Sequence, residues 1–229
     1  MDLAANLARV RQQIAEAAVR SGRGAEDIGL VGVTKYVDIA ATRTLFEAGL
    51  HDLAESRPQE LWRKAEALQA LPVRWHAIGH LQRNKVERTL PLISLLHSGD
   101  SLQLLEAVSA AAVKQDRVVA TLLEVNISGD AAKHGFAPHV LRSSLSTIAA
   151  LPGIQVCGLM TMASLEGGND RARRDFASLR ELRNELLVDC PPHVELQELS
   201  MGMTSDFVEA IEEGATIVRV GSALFEGGE

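Results

Sequence analysis

The chain has 229 residues, of which 46% are apolar, 23% charged and 3% aromatic, and its formal net charge is −7. The apolar share is that of a globular core, while the missing basic tail and the few aromatic residues argue against a nucleic-acid-binding protein. No apolar run is long enough to cross a membrane, and the first residues lack a secretory signal pattern. The two cysteines predict neither a disulfide framework nor a metal knuckle, so we expect a cytosolic protein.

The predicted elements alternate regularly along the chain. An amphipathic helix comes first, with apolar residues at helical spacing from Leu3 to Ala18 and an end at Ser21-Gly22. Strand patterns follow at residues 28–34, 51–55, 74–79, 95–98, 119–127, 155–162, 195–201 and 216–221. Amphipathic helical patterns lie between them at residues 40–48, 59–71, 102–115, 139–151, 171–187 and 207–213.

This alternation predicts parallel strands joined by crossover helices. About eight such units in roughly 200 to 250 residues favour a (β/α)₈ barrel of the TIM type. We predict one domain over residues 1–229 with an extra N-terminal helix; a doubly wound open sheet is the alternative. In a barrel the active site lies at the carboxyl ends of the strands. Residues at or near those ends are Lys35, Glu55, His80, Ser98, Asn126, Met160, Thr204 and Gly221.

Lys35 directly follows the first predicted strand. Strand alternation places it on one face with Val31 and Val33, and these apolar neighbours predict a buried position. A lysine in apolar surroundings loses its proton more easily and becomes a nucleophile toward carbonyls. On position alone, the competing interpretation is a solvated lysine that closes the strand.

Two turns of small residues follow the seventh and eighth predicted strands. The first, at residues 202–206, offers the hydroxyls of Thr204 and Ser205, and the second offers Gly221 and Ser222. In barrels these two loops commonly form a phosphate site, because hydroxyls and unpaired backbone amides bind anions. The competing interpretation of the first turn is a plain helix N-cap by Ser205 or Asp206. An aldehyde-reactive lysine and a phosphate site together predict pyridoxal phosphate.

Arg219 stands two residues before Gly221, so the two share a face of the last strand. Its functional interpretation is contact with the pyridine nitrogen of the cofactor. Arginine cannot accept a proton, so that nitrogen would stay unprotonated and the ring would be a poor sink for carbanion charge. The alternative is an internal ion pair with Glu55 or Asp100.

His76 and His80 are four residues apart, but on a strand rather than a helix, so this spacing does not predict zinc. We expect His80 to face the cavity and His76 to be structural. The sequence contains no Ser-His-Asp or Cys/His order typical of a hydrolase.

Several segments resemble those of the pyridoxal phosphate homeostasis protein family, whose members are single-domain relatives of the barrel half of alanine racemase. The match covers nearly the whole chain. Its motifs are residues 31–35 (VGVTK), 75–85 (WHAIGHLQRNK), 125–128 (VNIS), 132–135 (AKHG), 158–162 (GLMTM), 199–206 (LSMGMTSD) and 218–225 (VRVGSALF). The family's usual Gly-Glu-Asn-Arg segment reads Ala54-Glu55-Ser56-Arg57 here, and Thr204 replaces a usual serine.

The resemblance implies that Lys35 holds the cofactor as an internal aldimine. It also implies that Thr204, Gly221 and Ser222 bind the phosphate and that Arg219 approaches the pyridine nitrogen. To these cofactor contacts we add Ser200, His80 and Ser56, the last at a position that is usually asparagine.

Three functions are compatible with these residues. The first is a monomeric holder of pyridoxal phosphate that acts in cofactor homeostasis and passes the cofactor to apo-enzymes. The second is an amino-acid racemase or related carbanion enzyme. Related racemases add a β-domain and use a tyrosine as second base, whereas we expect no further domain here. We also expect the single tyrosine, Tyr36, to point away from Lys35. The third, a sugar-phosphate barrel enzyme, ranks last because it does not explain the motif series.

Overall fold

Eight parallel strands close into a barrel in a computed structural model that describes residues 2–130, 132–164 and 166–227. The strands follow one another in sequence order around the barrel, and the last pairs with the first. They are β1 (Gly29–Val33), β2 (Asp52–Glu55), β3 (Arg74–Ala77), β4 (Ile93–Gly99), β5 (Val119–Glu124), β6 (Ile154–Met160), β7 (Val194–Ser200) and β8 (Ile217–Val220). The predicted TIM-type barrel is confirmed, and every predicted strand overlaps one of these eight.

Helices cover the outside of the barrel between consecutive strands. The α-helices of the described residues are α1 (Leu3–Arg20), α2 (Ile39–Glu47), α3 (Pro58–Ala67), α4 (Val86–Thr89), α5 (Leu102–Lys114), α6 (Pro138–Ala149), α7 (Gly168–Val188), α8 (Phe207–Glu212) and α9 (Ser222–Phe225). None of them combines the length and the apolar character needed to span a bilayer.

The region between β3 and β4 is more structured than predicted. Two 3-10 turns, Arg83–Lys85 and Leu90–Leu92, flank the four-residue helix α4. No helix was predicted there, because a helix of four residues followed by Pro91 is too short to show an amphipathic period.

Side chains alternate between two apolar layers along each strand. The larger layer lies between the strands and the surrounding helices. The smaller layer fills the barrel interior with Val31, Val33 and Ala54, against which Ile78 and Ile217 pack. Other strands contribute buried polar side chains, among them His76, His97, Ser200 and Arg219.

Helix α1 lies outside the regular strand–helix alternation and packs against α8 and α9. Its buried Asn6 donates from Nδ2 to the carbonyl oxygens of Leu224 and Glu226, at 3.2 and 2.8 Å. Arg20 at the end of α1 pairs with Glu212 at the end of α8. The first helix therefore fixes the backbone that follows β8.

Candidate cofactor site

A cavity of about 810 Å³ opens at the carboxyl ends of the strands. The lining residues come from β1 and β8 and from the loops after β1, β2, β3, β6, β7 and β8, as expected for the active end of such a barrel. They include six of the eight residues predicted from the sequence: Lys35, Ser56, Thr204, Arg219, Gly221 and Ser222.

Lys35 lines the cavity but is exposed rather than buried. Strand β1 ends at Val33, so the expected alternation stops before Lys35, which lies in the turn that follows. The prediction that Tyr36 points away from Lys35 is also wrong for this reason. The Lys35 Nζ atom lies 4.9 Å from the centre of the Tyr36 ring, and both residues line the cavity. The amine is thus open to a ligand entering from solvent.

Arg219 is 3% exposed and reaches the cavity from the barrel interior. Its Nη1 donates to Ser200 Oγ at 2.5 Å and its Nη2 to the carbonyl oxygen of Thr161 at 2.9 Å. Burial lowers the pKa of the guanidinium to about 10, against the opposing charges of Glu124 and Asp206, so it remains a cation at neutral pH. The alternative ion pairs with Glu55 or Asp100 do not form.

The hydrogen bonds of Arg219 leave donors available for a ligand. A guanidinium has five N–H bonds, and those to Ser200 and Thr161 use two of them among the described residues. Because a buried charge is costly without acceptors, a ligand acceptor in the cavity would complete its coordination.

The turns after β7 and β8 meet at one side of the cavity. The Gly221 amide donates to Thr204 Oγ1 at 3.2 Å, which joins the two turns directly. A side-chain N-cap of α8, the competing interpretation of this turn, is not observed: the Asp206 carboxylate instead accepts from the Met203 amide at 2.6 Å, before the helix. This bond stiffens the turn, while the hydroxyls of Thr204, Ser205 and Ser222 line the cavity.

The opposite wall depends on a close backbone contact between two loops. A Cβ atom on Gly79 would lie 2.3 Å from the carbonyl oxygen of Ser56, so only glycine fits at this position. Both residues line the cavity. The contact fixes where the Ser56 side chain lies relative to Lys35.

Two predicted contacts lie away from the cavity lining. Ser200 is fully buried beneath it and bonds Arg219. His80 turns toward β4, where its Nδ1 lies 2.6 Å from Asp100 Oδ2 and its ring stacks on His134 at 4.2 Å. A direct contact of either side chain with a ligand in the cavity is therefore not favoured.

The sequence interpretation missed three buried polar groups next to the site. Glu124 lies at the end of β5, where burial and the charge of Asp100 raise its pKa to about 7 against the attraction of Arg219 and His80. Lys64 on α3 donates to Glu55 Oε1 at 2.5 Å, and His97 lies fully buried on β4. A charged or imidazole side chain at an inward strand position was the available signal for Glu124 and His97. Lys64 fitted the polar, solvent-exposed face of a predicted amphipathic helix.

Comparison with known proteins gives the family of this barrel. The family model described as alanine racemase, N-terminal domain, matches residues 3–228. The pyridoxal phosphate homeostasis protein of Aquifex aeolicus is 40% identical over 225 residues, which cover 98% of both chains. The chain belongs to the pyridoxal phosphate homeostasis protein family. The resemblance seen in the sequence motifs is thereby confirmed.

Solved structures from this family and from a more distant enzyme share the fold. PipY of Synechococcus elongatus, in a structure with PLP bound, is 34% identical and superposes with a TM-score of 0.88 over 98% of this chain and 100% of its own. An alanine racemase of Clostridium difficile is 14% identical, with a TM-score of 0.78 over 99% of this chain and 56% of its own. The similarity to the alanine racemase concerns the barrel fold alone.

Proposed function

We propose that this protein binds pyridoxal 5′-phosphate reversibly in the cavity and acts in its intracellular homeostasis. The observation that carries the proposal is the convergence of an amine, a buried guanidinium and a hydroxyl-bearing double turn on one cavity, in a family named for this cofactor. Each group matches one part of the ligand: Lys35 the aldehyde, Arg219 the ring nitrogen, and Thr204, Gly221 and Ser222 the phosphate.

The donor set fits the cofactor. The bound cofactor supplies an aldehyde carbon, at which the Lys35 amine forms a carbon–nitrogen double bond with release of water. Thr204 and Ser222 present hydroxyls, and the first amides of α9 have no acceptor within their own helix. Arg219 lines the cavity and has side-chain donors without a partner among the described residues, which a ligand acceptor would satisfy.

The identity of Arg219 favours storage over carbanion chemistry. A guanidinium whose pKa stays at about 10 donates a hydrogen bond to the ring nitrogen without giving up its proton. The ring then withdraws electrons weakly. Tyr36 does stand near Lys35, but both belong to one turn and approach the cavity from one side. Racemisation by two bases needs them on opposite faces of the substrate carbon.

Further parts of the proposal concern the protein as a whole. We infer that residues 1–229 form one cofactor-binding domain that acts as a cytosolic monomer and hands the cofactor to apo-enzymes. The exposure of Lys35 is consistent with transfer, because the amine is accessible to competing amines. An amino-acid racemase remains the second candidate, favoured only by Tyr36 beside Lys35.

The first experiment is the visible absorption spectrum of the purified protein with added pyridoxal phosphate, before and after borohydride. We expect a Schiff-base band that reduction removes, with the added mass on the peptide containing Lys35. Lys35→Ala abolishes the band, whereas Lys114→Ala, a surface lysine on α5, leaves it unchanged. No band in the parent protein would refute the proposal. Turnover of an amino acid by the loaded protein would instead favour the racemase.

A further inference from the structure

A continuous series of hydrogen bonds crosses the barrel interior beneath Arg219. Ser200 Oγ accepts from Arg219 Nη1 at 2.5 Å and lies 2.9 Å from Nδ1 of His97. His97 Nε2 lies 2.9 Å from His76 Nδ1, and His76 Nε2 lies 3.1 Å from Asp52 Oδ1. These five side chains, the Arg219–Asp52 chain, come from β8, β7, β4, β3 and β2. They link the cavity to the amino ends of the strands.

The two ends of the Arg219–Asp52 chain fix its direction. Arg219 can only donate, so Ser200 Oγ accepts from it. Burial acts against ionisation of Asp52, but hydrogen bonds from His76 and Arg74 outweigh it and hold the carboxyl pKa well below its ordinary range. Asp52 is therefore a carboxylate that can only accept, and His76 must carry a proton on Nε2.

The histidines between these ends complete the pattern if both rings are neutral. The Ser200 hydroxyl then donates to His97 Nδ1, and His97 Nε2–H donates to His76 Nδ1. In this arrangement every link of the chain has one donor and one acceptor. Complete burial, with the nearby cation of Arg219 acting in the same direction, lowers the pKa of His97 well below its ordinary value, which favours its neutral form.

Arg219 depends on this chain for its orientation. Its remaining hydrogen bond goes to the Thr161 carbonyl, and a single such contact does not by itself fix the guanidinium plane. Ser200 supplies the second contact, but a serine hydroxyl rotates unless its own proton is held. His97 holds that proton, and His76 fixes the tautomer of His97 as a second partner does for a catalytic or metal-bound imidazole.

We propose that His97 and His76 are positioning residues, which hold Ser200 and Arg219 in the orientation that meets the ring of the cofactor. The inference rests on the proposed function for its ligand, but its geometry belongs to the unliganded protein. The competing interpretation is that the two histidines are only satisfied polar groups of the core. That interpretation predicts that substituting either histidine changes the stability of the protein but not its binding of the ligand.

The first test reads the tautomers directly in the protein without ligand. Nitrogen-15 and carbon-13 correlation spectra of the imidazoles at pH 7.5 should show His76 and His97 both neutral, with the proton on Nε2. Assignment uses the single variants His76→Leu and His97→Phe. An imidazolium, or a proton on Nδ1, at either residue overturns the proposed direction and the inference with it.

The second test titrates pyridoxal phosphate into His97→Phe and Ser200→Ala. We expect each variant to weaken binding roughly tenfold, the scale of one hydrogen bond to a charged group, and to shift the absorption maximum of the bound cofactor. Because the two residues act in series, the double variant should bind pyridoxal phosphate about as tightly as the single variant with the lower affinity. Thermal unfolding without ligand shows that each variant is folded.

One control separates the outcomes. His51→Phe, an exposed histidine before β2, should bind as the parent does. If the variants lose stability but keep the parent's affinity and spectrum, the histidines are structural and the inference fails. If the parent itself binds no pyridoxal phosphate, the proposed function fails instead.

Discussion

Two buried polar networks support the two sides of the cavity, and they differ in charge. Beneath Lys35, the ammonium of Lys64 donates to Glu55 Oε1 at 2.5 Å and to the Thr34 carbonyl at 2.6 Å, while the Thr34 hydroxyl donates to the same carboxylate oxygen at 2.7 Å. Beneath Arg219, neutral imidazoles pass hydrogen bonds from strand to strand.

The difference shows what each network holds in place. The ionic network fixes a backbone carbonyl directly before Lys35, so it sets where the turn begins. The histidine chain fixes the direction of one side chain. A buried ion pair is strong only while both charges are present, whereas removing one of the two imidazoles between Arg219 and Asp52 removes no charge. We therefore expect different costs when each is broken.

The largest effect should come from breaking the ion pair. Lys64→Met leaves the Glu55 carboxylate buried without its cation, and its Oε2 atom already lacks a hydrogen bond among the described residues. We expect a loss of about 3–5 kcal/mol in the free energy of unfolding, measured by urea denaturation at pH 7.5.

Two variants serve as controls for that loss. Lys114→Met removes the exposed surface pair with Glu87 and should leave the free energy of unfolding close to that of the parent. Removing both charges in Lys64→Met with Glu55→Leu should recover most of the stability. If the double variant is no more stable than Lys64→Met, the carboxylate charge is not the cause.

A second effect concerns Glu124, which lies near Arg219 but forms no side-chain hydrogen bond among the described residues. Its pKa is about 7 in the folded protein and 4.5 ordinarily, so the folded state binds more protons between these values. The free energy of unfolding therefore falls as pH rises through this range. Glu124→Gln should be about 3 kcal/mol more stable than the parent above pH 8, with no gain below pH 4.5.

The measurement is urea denaturation of both proteins from pH 4.5 to 8.5. Glu195→Gln, an exposed position on β7, should leave the pH dependence unchanged. A gain that is the same at every pH would mean that packing, rather than ionisation, distinguishes the two side chains.

The smallest effect should follow from His76→Leu in the neutral chain. It leaves the Nε2–H of His97 without an acceptor, and Asp52 keeps its contact with Arg74. We expect a loss of about 1–3 kcal/mol, because a buried unpaired neutral donor costs less than a buried unpaired charge. Calorimetry or urea denaturation beside Lys64→Met gives the comparison; an equal or larger loss for His76→Leu would contradict it.

Most of the fold could be predicted from local patterns. Each strand is a short apolar run between turn residues, and the periodicity gave all eight within a few residues of their ends. Lys35 was misplaced as buried because the pattern does not show that β1 ends at Val33. The predicted alternation was extended through Thr34 and Lys35, although the backbone has already left the strand there.

The two buried polar networks beneath the site could not be predicted from the sequence, for a different reason. His97 and Ser200 are separated by 103 residues along the chain, and their contact depends on how the barrel brings β4 and β7 to face each other across its interior. Lys64 and Glu55 are only nine residues apart, but Lys64 is 1% exposed on a helix whose pattern marks it as polar. Only the packed barrel shows which polar groups are enclosed.

The bond from Asn6 to Leu224 and Glu226 also bears on synthesis of the protein. The wall formed by Phe225 and Glu226 is fixed by a residue that leaves the ribosome more than 200 residues earlier. Helix α1 must wait, partly exposed, until β8 and α9 have emerged. This wall of the cavity therefore cannot form until residues 224–226 have been synthesised and have reached Asn6.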